Sequence, residues 1–245
     1  VLKPFLLLPF LALLHFWTSP SVEKQTNPVV MELFTSEGCS SCPPADQLLS
    51  DYASADEHQV IALSFHVHYW DRLGWSDPYS HQKYTDRQRD YAKKLNVKKI
   101  YTPQMVINGV HTFIGSDKDK ARETLEMVAD KPMPVEISIT EIKIDGAYCS
   151  FNYRLSSSTK GLLVNFAFTE DGLCQQVLRG ENRGKLLKHD NVVRAFKSEE
   201  APKKSGKILM RLPDEAKHTR MKVVVYAQQL SDYKVVGATT QPLLP

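Results

Sequence analysis

An apolar run, Val29 to Phe34, leads within a few residues into Gly38-Cys39-Ser40-Ser41-Cys42-Pro43. A strand that turns straight into a helix opened by Cys-x-x-Cys admits few architectures. Residues three apart in a first helical turn have Cα atoms about 5–6 Å apart, within disulfide reach. The same pair is then a dithiol or a disulfide without backbone movement. Cys39 is expected at the helix N-terminus, exposed and acidified by free N–H groups and the helix dipole. The thiolate is the species that attacks disulfides. Cys42, one turn in, is expected to be covered and to resolve the mixed disulfide. Two other chemistries stay open for the same residues: a static structural disulfide, or half of a zinc site, which ordinarily wants a second Cys pair or a His pair.

A second feature lies at Tyr101-Thr102-Pro103-Gln104-Met105-Val106-Ile107-Asn108-Gly109-Val110-His111-Thr112-Phe113-Ile114-Gly115. Asn-Gly between two apolar runs predicts a hairpin. Pro103 opens the first strand, where no ladder donor is needed.

A βαβ start with Cys-x-x-Cys, a Thr-Pro before a hairpin and a closing helix resembles the thioredoxin fold over about residues 27–132. The resemblance implies a cis Thr102-Pro103 bond packed over the Cys pair, with Thr102 beside the substrate backbone. More narrowly, Glu32 to Asp46, Tyr69-Trp70-Asp71, Gly74-Trp75, Arg87-Gln88-Arg89 and Tyr101 to Gln104 resemble the secreted bacterial family DUF1223. So do Arg179-Gly180-Glu181-Asn182 and His189 to Arg194. The chain departs from these patterns in three places. Gly38 stands where thioredoxins have Trp. Leu33 stands where they have a buried carboxylate, and Glu32, one residue off, is turned by strand alternation to the other face. His68 stands where family members often have Asp.

At 245 residues, with 42% hydrophobic and 24% charged residues, the chain is an ordinary globular one. Its net charge of +3 is too small to argue nucleic-acid binding. Lys93, Lys94, Lys98 and Lys99 read as a solvated helix end. Lys3, the apolar stretch Phe5 to Trp17 and the small residues Ser19 and Ser21 predict a signal peptide over residues 1–21. That stretch of thirteen residues, apolar apart from His15, falls short of the roughly 20 that span a membrane. Export to the periplasm or outside the cell suits the cysteines, since oxidising compartments tolerate disulfides; no membrane span is expected after cleavage.

Patterning divides the rest. Strands at Val29–Phe34 and Val60–Phe65 flank a helix with the stripe Ala45, Leu48, Leu49, Tyr52, Ala53. A polar helix follows at about 80–95, then the hairpin, then a helix at about 117–130 with Ser116-x-x-Asp119 as a capping-box variant. Lys131-Pro132-Met133-Pro134 marks a boundary. Beyond it, short alternating strands with turns at Asp145-Gly146, Asp171-Gly172 and Pro213-Asp214 predict an antiparallel sandwich. The expected fold is an α/β thioredoxin-like domain, 27–132, followed by an all-β, sandwich-like domain, 133–245.

The expected function is exported thiol–disulfide oxidoreductase. Cys39 and Cys42 are the reacting groups, and Gly38, Tyr69, Trp70, Thr102 and Pro103 shape a substrate groove. Partners are protein or small-molecule thiols and disulfides, and no organic cofactor is required. The alternatives are a copper- or zinc-binding module using Cys39 and Cys42 with His66 or His68, and a noncatalytic binding protein. Cys149 and Cys174 either bridge strands or are small buried apolar residues. The polar stretch Arg179 to Arg194 is a loop between strands or a cover over the Cys pair.

Overall fold

The computed structural model describes residues 27–55 and 59–244, so the expected signal peptide lies outside the described residues. The N-terminal part runs β1 (Val29–Thr35), α1 (Pro43–Ser54), β2 (Val60–His66), α2 (Gln82–Lys94), β3 (Gln104–Ile107), β4 (His111–Ile114) and α3 (Lys118–Val128). The C-terminal part runs β5 (Ile137–Asp145), β6 (Tyr148–Leu155), β7 (Leu162–Glu170), β8 (Leu173–Gln176), β9 (Leu186–His189), β10 (Val192–Glu200), β11 (Ser205–Arg211), β12 (Met221–Gln229) and β13 (Val235–Pro242). An α/β part is therefore followed by a mostly antiparallel, sandwich-like β part.

One eight-stranded sheet, in the order β13-β12-β7-β10-β2-β1-β3-β4, runs through both parts. The Pro132–Pro134 stretch falls between α3 and β5. Across it, β10 lies parallel to β2 with Val192 opposite Ser64. This explains the near-continuous apolar run of β2: it is an interior strand covered on both faces. On one face, Tyr84 and Tyr91 of α2 pack on Val30, Phe34, Leu63 and Phe65. On the other, Ala45 and Leu49 of α1 and Leu125 of α3 cover Met31, Leu33 and Met105. Farther along, the three-stranded sheet β11-β6-β5 packs Phe151 and Tyr153 against Phe166, Phe168, Val223 and Val225.

The Asn-Gly hairpin is present, and it also ties the two parts together. Asn108 Oδ1 accepts from Val30 N at 2.9 Å, and the Asn108 carbonyl accepts from Val235 N at 3.0 Å. Gly109 has φ +76°, and a Cβ there would lie 1.9 Å from the Tyr233 carbonyl oxygen. Only glycine fits that approach.

Several local expectations are corrected. Helix α3 is capped by Asp117, whose carboxylate accepts from Lys120 N, rather than by Ser116. The stretch after Arg179 is not wholly loop: β9 pairs antiparallel with β8. The two were missed because four-residue strands of mixed polarity carry little periodic signal. Cys149 and Cys174 are both free. Cys149 lies in the sandwich core, where burial pushes its thiol up to about 11, and Cys174 is exposed.

Candidate functional site

Cys39 and Cys42 form a disulfide with Cα atoms 5.5 Å apart, at the C-terminal ends of the parallel pair β1–β2. The helix begins later than its sequence suggests. Pro43 is its first residue and Cys42 is the N-cap, so Cys39 sits in the preceding turn. Pro43 and Pro44 have the fixed φ that starts a helix but no N–H. The first two donors that would have favoured a Cys39 thiolate are therefore missing. The next two, of Ala45 and Asp46, both go to the Cys42 carbonyl. The group left beside the Cys39 sulfur is Ser41 Oγ, at 3.3 Å.

The expectation that Cys39 is exposed is also corrected. It is 1% exposed and Cys42 is 0%. The cover comes from the β part. Residues 177–185, the compact turn joining β8 to β9, lie over the Cys-x-x-Cys turn. The buried Asn182 amide donates to the Glu37 carbonyl at 2.9 Å and the Cys39 carbonyl at 2.8 Å. Glu181 Oε2 accepts from Ser40 N at 3.0 Å and Ser40 Oγ at 2.7 Å.

Thr102-Pro103 is cis. Trp70 Nε1 donates to Thr102 Oγ1 at 2.7 Å, and Gly115 N to the Pro103 carbonyl at 2.9 Å. A Cβ at Gly115 would meet Leu33, Pro103 and Ala45 at 2.7, 3.1 and 3.2 Å, so this glycine lets the proline loop close on α1. A Cβ at Gly38 would lie 3.5 Å from Trp70. Thus Gly38, Trp70, Thr102 and Pro103 converge on one side of the disulfide, with Tyr69 half-buried next to Trp70. A cavity of about 440 Å³ opens there, lined by Gly38, Trp70, Leu73, Trp75, Gly180 and Glu181.

The two histidines named with the pair part company. His68 is exposed, 3.9 Å from Asp71. His66 is fully buried, its Nδ1 2.7 Å from Asp77 Oδ2. Among the described residues, no group of three or more His, Cys, Asp or Glu is placed to hold a metal ion. The set Cys39, Cys42, His66 and His68 is therefore not brought together.

Beneath the disulfide, on the α1 face of the sheet, lies a cluster the sequence did not single out. Thr35 and His66 are opposite one another on β1 and β2. Asp46 comes from α1 and His189 from β9. Their outer supports are Asp77, which accepts from Glu37 N at 2.8 Å, and Glu37, which accepts from Trp75 Nε1 at 2.8 Å and faces His189 Nε2 at 3.1 Å. The His66 and His189 rings are 4.9 Å apart, edge to face. Burial raises the Asp46 pKa above the usual carboxylate range. For His66, burial opposes charging, but the Asp77 carboxylate outweighs it and the net shift is upward. For Asp77, burial raises the pKa, but His66 and backbone donors outweigh it and the net shift is downward. His189 was legible only within a polar stretch and a family resemblance, because nothing local marks a long-range contact.

The match to the family model described as "Protein of unknown function (DUF1223)" extends over residues 30–228. This chain belongs to that family, whose fold joins a thioredoxin-like part to a β-sandwich. Protein AGR_C_4864 from Agrobacterium tumefaciens has a similar structure, with a TM-score of 0.61 and 25% identity over 86% of this chain and 92% of that one. OgpA from Akkermansia muciniphila matches 45% of this chain and 28% of its own at 13% identity, with a TM-score of 0.25, too low to carry an argument. No curated protein matches.

Proposed function

We propose that this chain is an exported thiol–disulfide oxidoreductase acting on protein or small-molecule thiols and disulfides. Cys39 forms the mixed disulfide and Cys42 resolves it. The observation that carries the reading is the Cys39–Cys42 disulfide, set beside the Thr102-Pro103 loop and an open cavity at Gly38. Export rests on the apolar N-terminal segment, and among the described residues no helix is long and apolar enough to cross a membrane.

The burial of Cys39 favours a second reading, a disulfide that only staples the turn. In the redox reading, the turn 177–185 moves aside when a partner docks. Trapping separates the two. Cells carrying Cys42→Ser are expected to accumulate mixed disulfides through Cys39, identifiable by mass spectrometry. The purified protein is expected to exchange with a test disulfide, with Cys39→Ala inactive. No adducts and no exchange leave the structural reading.

A further inference from the structure

Four buried polar atoms without a hydrogen-bond partner meet beneath the disulfide: Thr35 Oγ1, Asp46 Oδ1, His66 Nε2 and His189 Nδ1. The His66 and His189 rings lie edge to face 4.9 Å apart, Thr35 is opposite His66 in the strand register, and both imidazoles and the Thr35 hydroxyl are near enough to the Asp46 carboxyl to pull its pKa down against the effect of burial. The residues that bear them are 9% exposed or less. Each histidine has its other nitrogen against a carboxylate, His66 Nδ1 on Asp77 and His189 Nε2 on Glu37. A carboxylate only accepts, so the proton of each neutral imidazole is drawn to that outer nitrogen. The inner nitrogens are then acceptors, and so is an ionised Asp46. Against three acceptors stands one hydroxyl donor, Thr35. Leaving a buried polar atom unpaired costs about 1–3 kcal/mol. Among the described ion pairs, none brings a Lys or Arg to Glu37, Asp46 or Asp77. Tyr79 lies edge-on to both imidazoles, and Arg194, above the Tyr79 ring, is paired with Glu170. With Asp46 ionised and both imidazoles neutral the space would be short of donors, so it favours holding a proton, in keeping with the raised pKa values of Asp46 and His66.

We propose that Asp46, His66 and His189 form a shared proton store that exchanges one proton with Cys42 as the disulfide opens and closes. Asp46 is one turn after Cys42 on the same helix face, its N–H on the Cys42 carbonyl at 3.1 Å, and side chains on a helix lean toward the N-terminus. In the opening step a partner thiolate attacks Cys39 Sγ and the partner sulfur becomes bonded to it. The Cys39–Cys42 bond breaks with its electron pair going to Cys42 Sγ. That sulfur is fully buried, one helical turn before Asp46, and takes the store's proton. A second partner thiolate then displaces Cys39 as a thiolate, so the partner is oxidised and the pair reduced. In the reverse direction the Cys42 proton returns to the store.

The proposal rests on the redox reading, yet its test needs no partner. The imidazole resonances of His66 and His189 are followed from pH 4 to 9 in the full chain, oxidised and then reduced with a phosphine. At least one is expected to change its apparent pKa by half a unit or more on reduction. Identical titrations in the two states overturn the store. Separately, Cys42 alkylation is followed against pH in Cys39→Ser background. Asp46→Asn and His189→Gln are each expected to change the rate near neutrality about tenfold, and His218→Gln to leave it unchanged. Equal profiles in folded variants overturn the store, as does a tightly held stoichiometric metal whose removal abolishes the histidine shifts. Where a variant fails to fold, the histidine titration of the unaltered chain decides. Histidine shifts without mixed-disulfide partners sink the redox reading alone.

Discussion

Two buried polar clusters lie on opposite faces of β1 and β2, and they are built by opposite rules. On the α2 face, Glu32 takes Arg87 Nε and Nη2 at 2.7 and 2.8 Å and the Tyr91 hydroxyl at 2.8 Å. Arg87 also reaches Tyr226 and Gln228, and Gln228 continues to Asn165 and Tyr233. The guanidinium lies 4.9–5.6 Å from the rings of Phe65, Tyr91, Phe196 and Tyr226. None of these side chains has an unpartnered buried polar atom. On the α1 face, beneath the disulfide, four such atoms sit together. A buried pair closed on all sides holds the α/β part to the β part. A cluster left short of donors holds two parts less firmly and keeps a capacity for protons.

The largest expected effect tests the closed cluster. Arg87→Ala leaves Glu32 buried and unpaired, a loss of about 3–5 kcal/mol in unfolding free energy. Denaturant unfolding of this variant is expected to show that loss. A change below about 1 kcal/mol breaks the contrast between the two faces.

A smaller effect tests the cover over the disulfide. Asn182→Ala frees two backbone carbonyls, those of Glu37 and Cys39, at about 1–3 kcal/mol. It is also expected to speed reduction of the disulfide by a phosphine, because Cys39 loses its clamp. Slower or unchanged reduction at equal fold would mean that residues 177–185 do not control access.

The smallest expected effect sharpens the open cluster. Asp46 has a raised folded pKa, so the folded chain binds more protons than the unfolded one above the ordinary value of 3.8. Its contribution is full below 3.8 and is lost as pH rises through the folded value. His66, also raised, contributes below its ordinary 6.5 and loses that contribution as pH rises through its folded value. Asp77, lowered, has the opposite sign: its contribution is present above 3.8 and lost as pH falls through its folded value. Asp46→Asn is therefore expected to flatten the lower part of the decline in stability above pH 3.8. The loss at higher pH and the acid loss at low pH remain. Unfolding midpoints measured every half unit check this. An unchanged slope above pH 3.8 would remove Asp46 from the titrating set.

Local pattern carried much of the architecture. The apolar runs of β1 and β2, the α1 stripe, the Asn-Gly hairpin and the alternating strands after Pro134 each report their own environment, because burial on one or two faces repeats with the period of the element. Glu32 belongs here too: alternation alone turned it away from α1, and its partner Arg87 stands on the other face. Cys39 and Cys42 were legible because their chemistry depends on spacing within one turn. The burial of Cys39 was legible only as one of two readings of Arg179 to Arg194, because its cover comes from Glu181 and Asn182, about 140 residues along the chain. Nor was the meeting of Thr35, Asp46, His66 and His189. His66 was read only as a candidate metal ligand and the other three drew no role of their own, and strand pairing together with one helix–hairpin contact makes them a site. Contacts of that range are set by sheet order, and sheet order places β10, not a strand of the α/β part, beside β2.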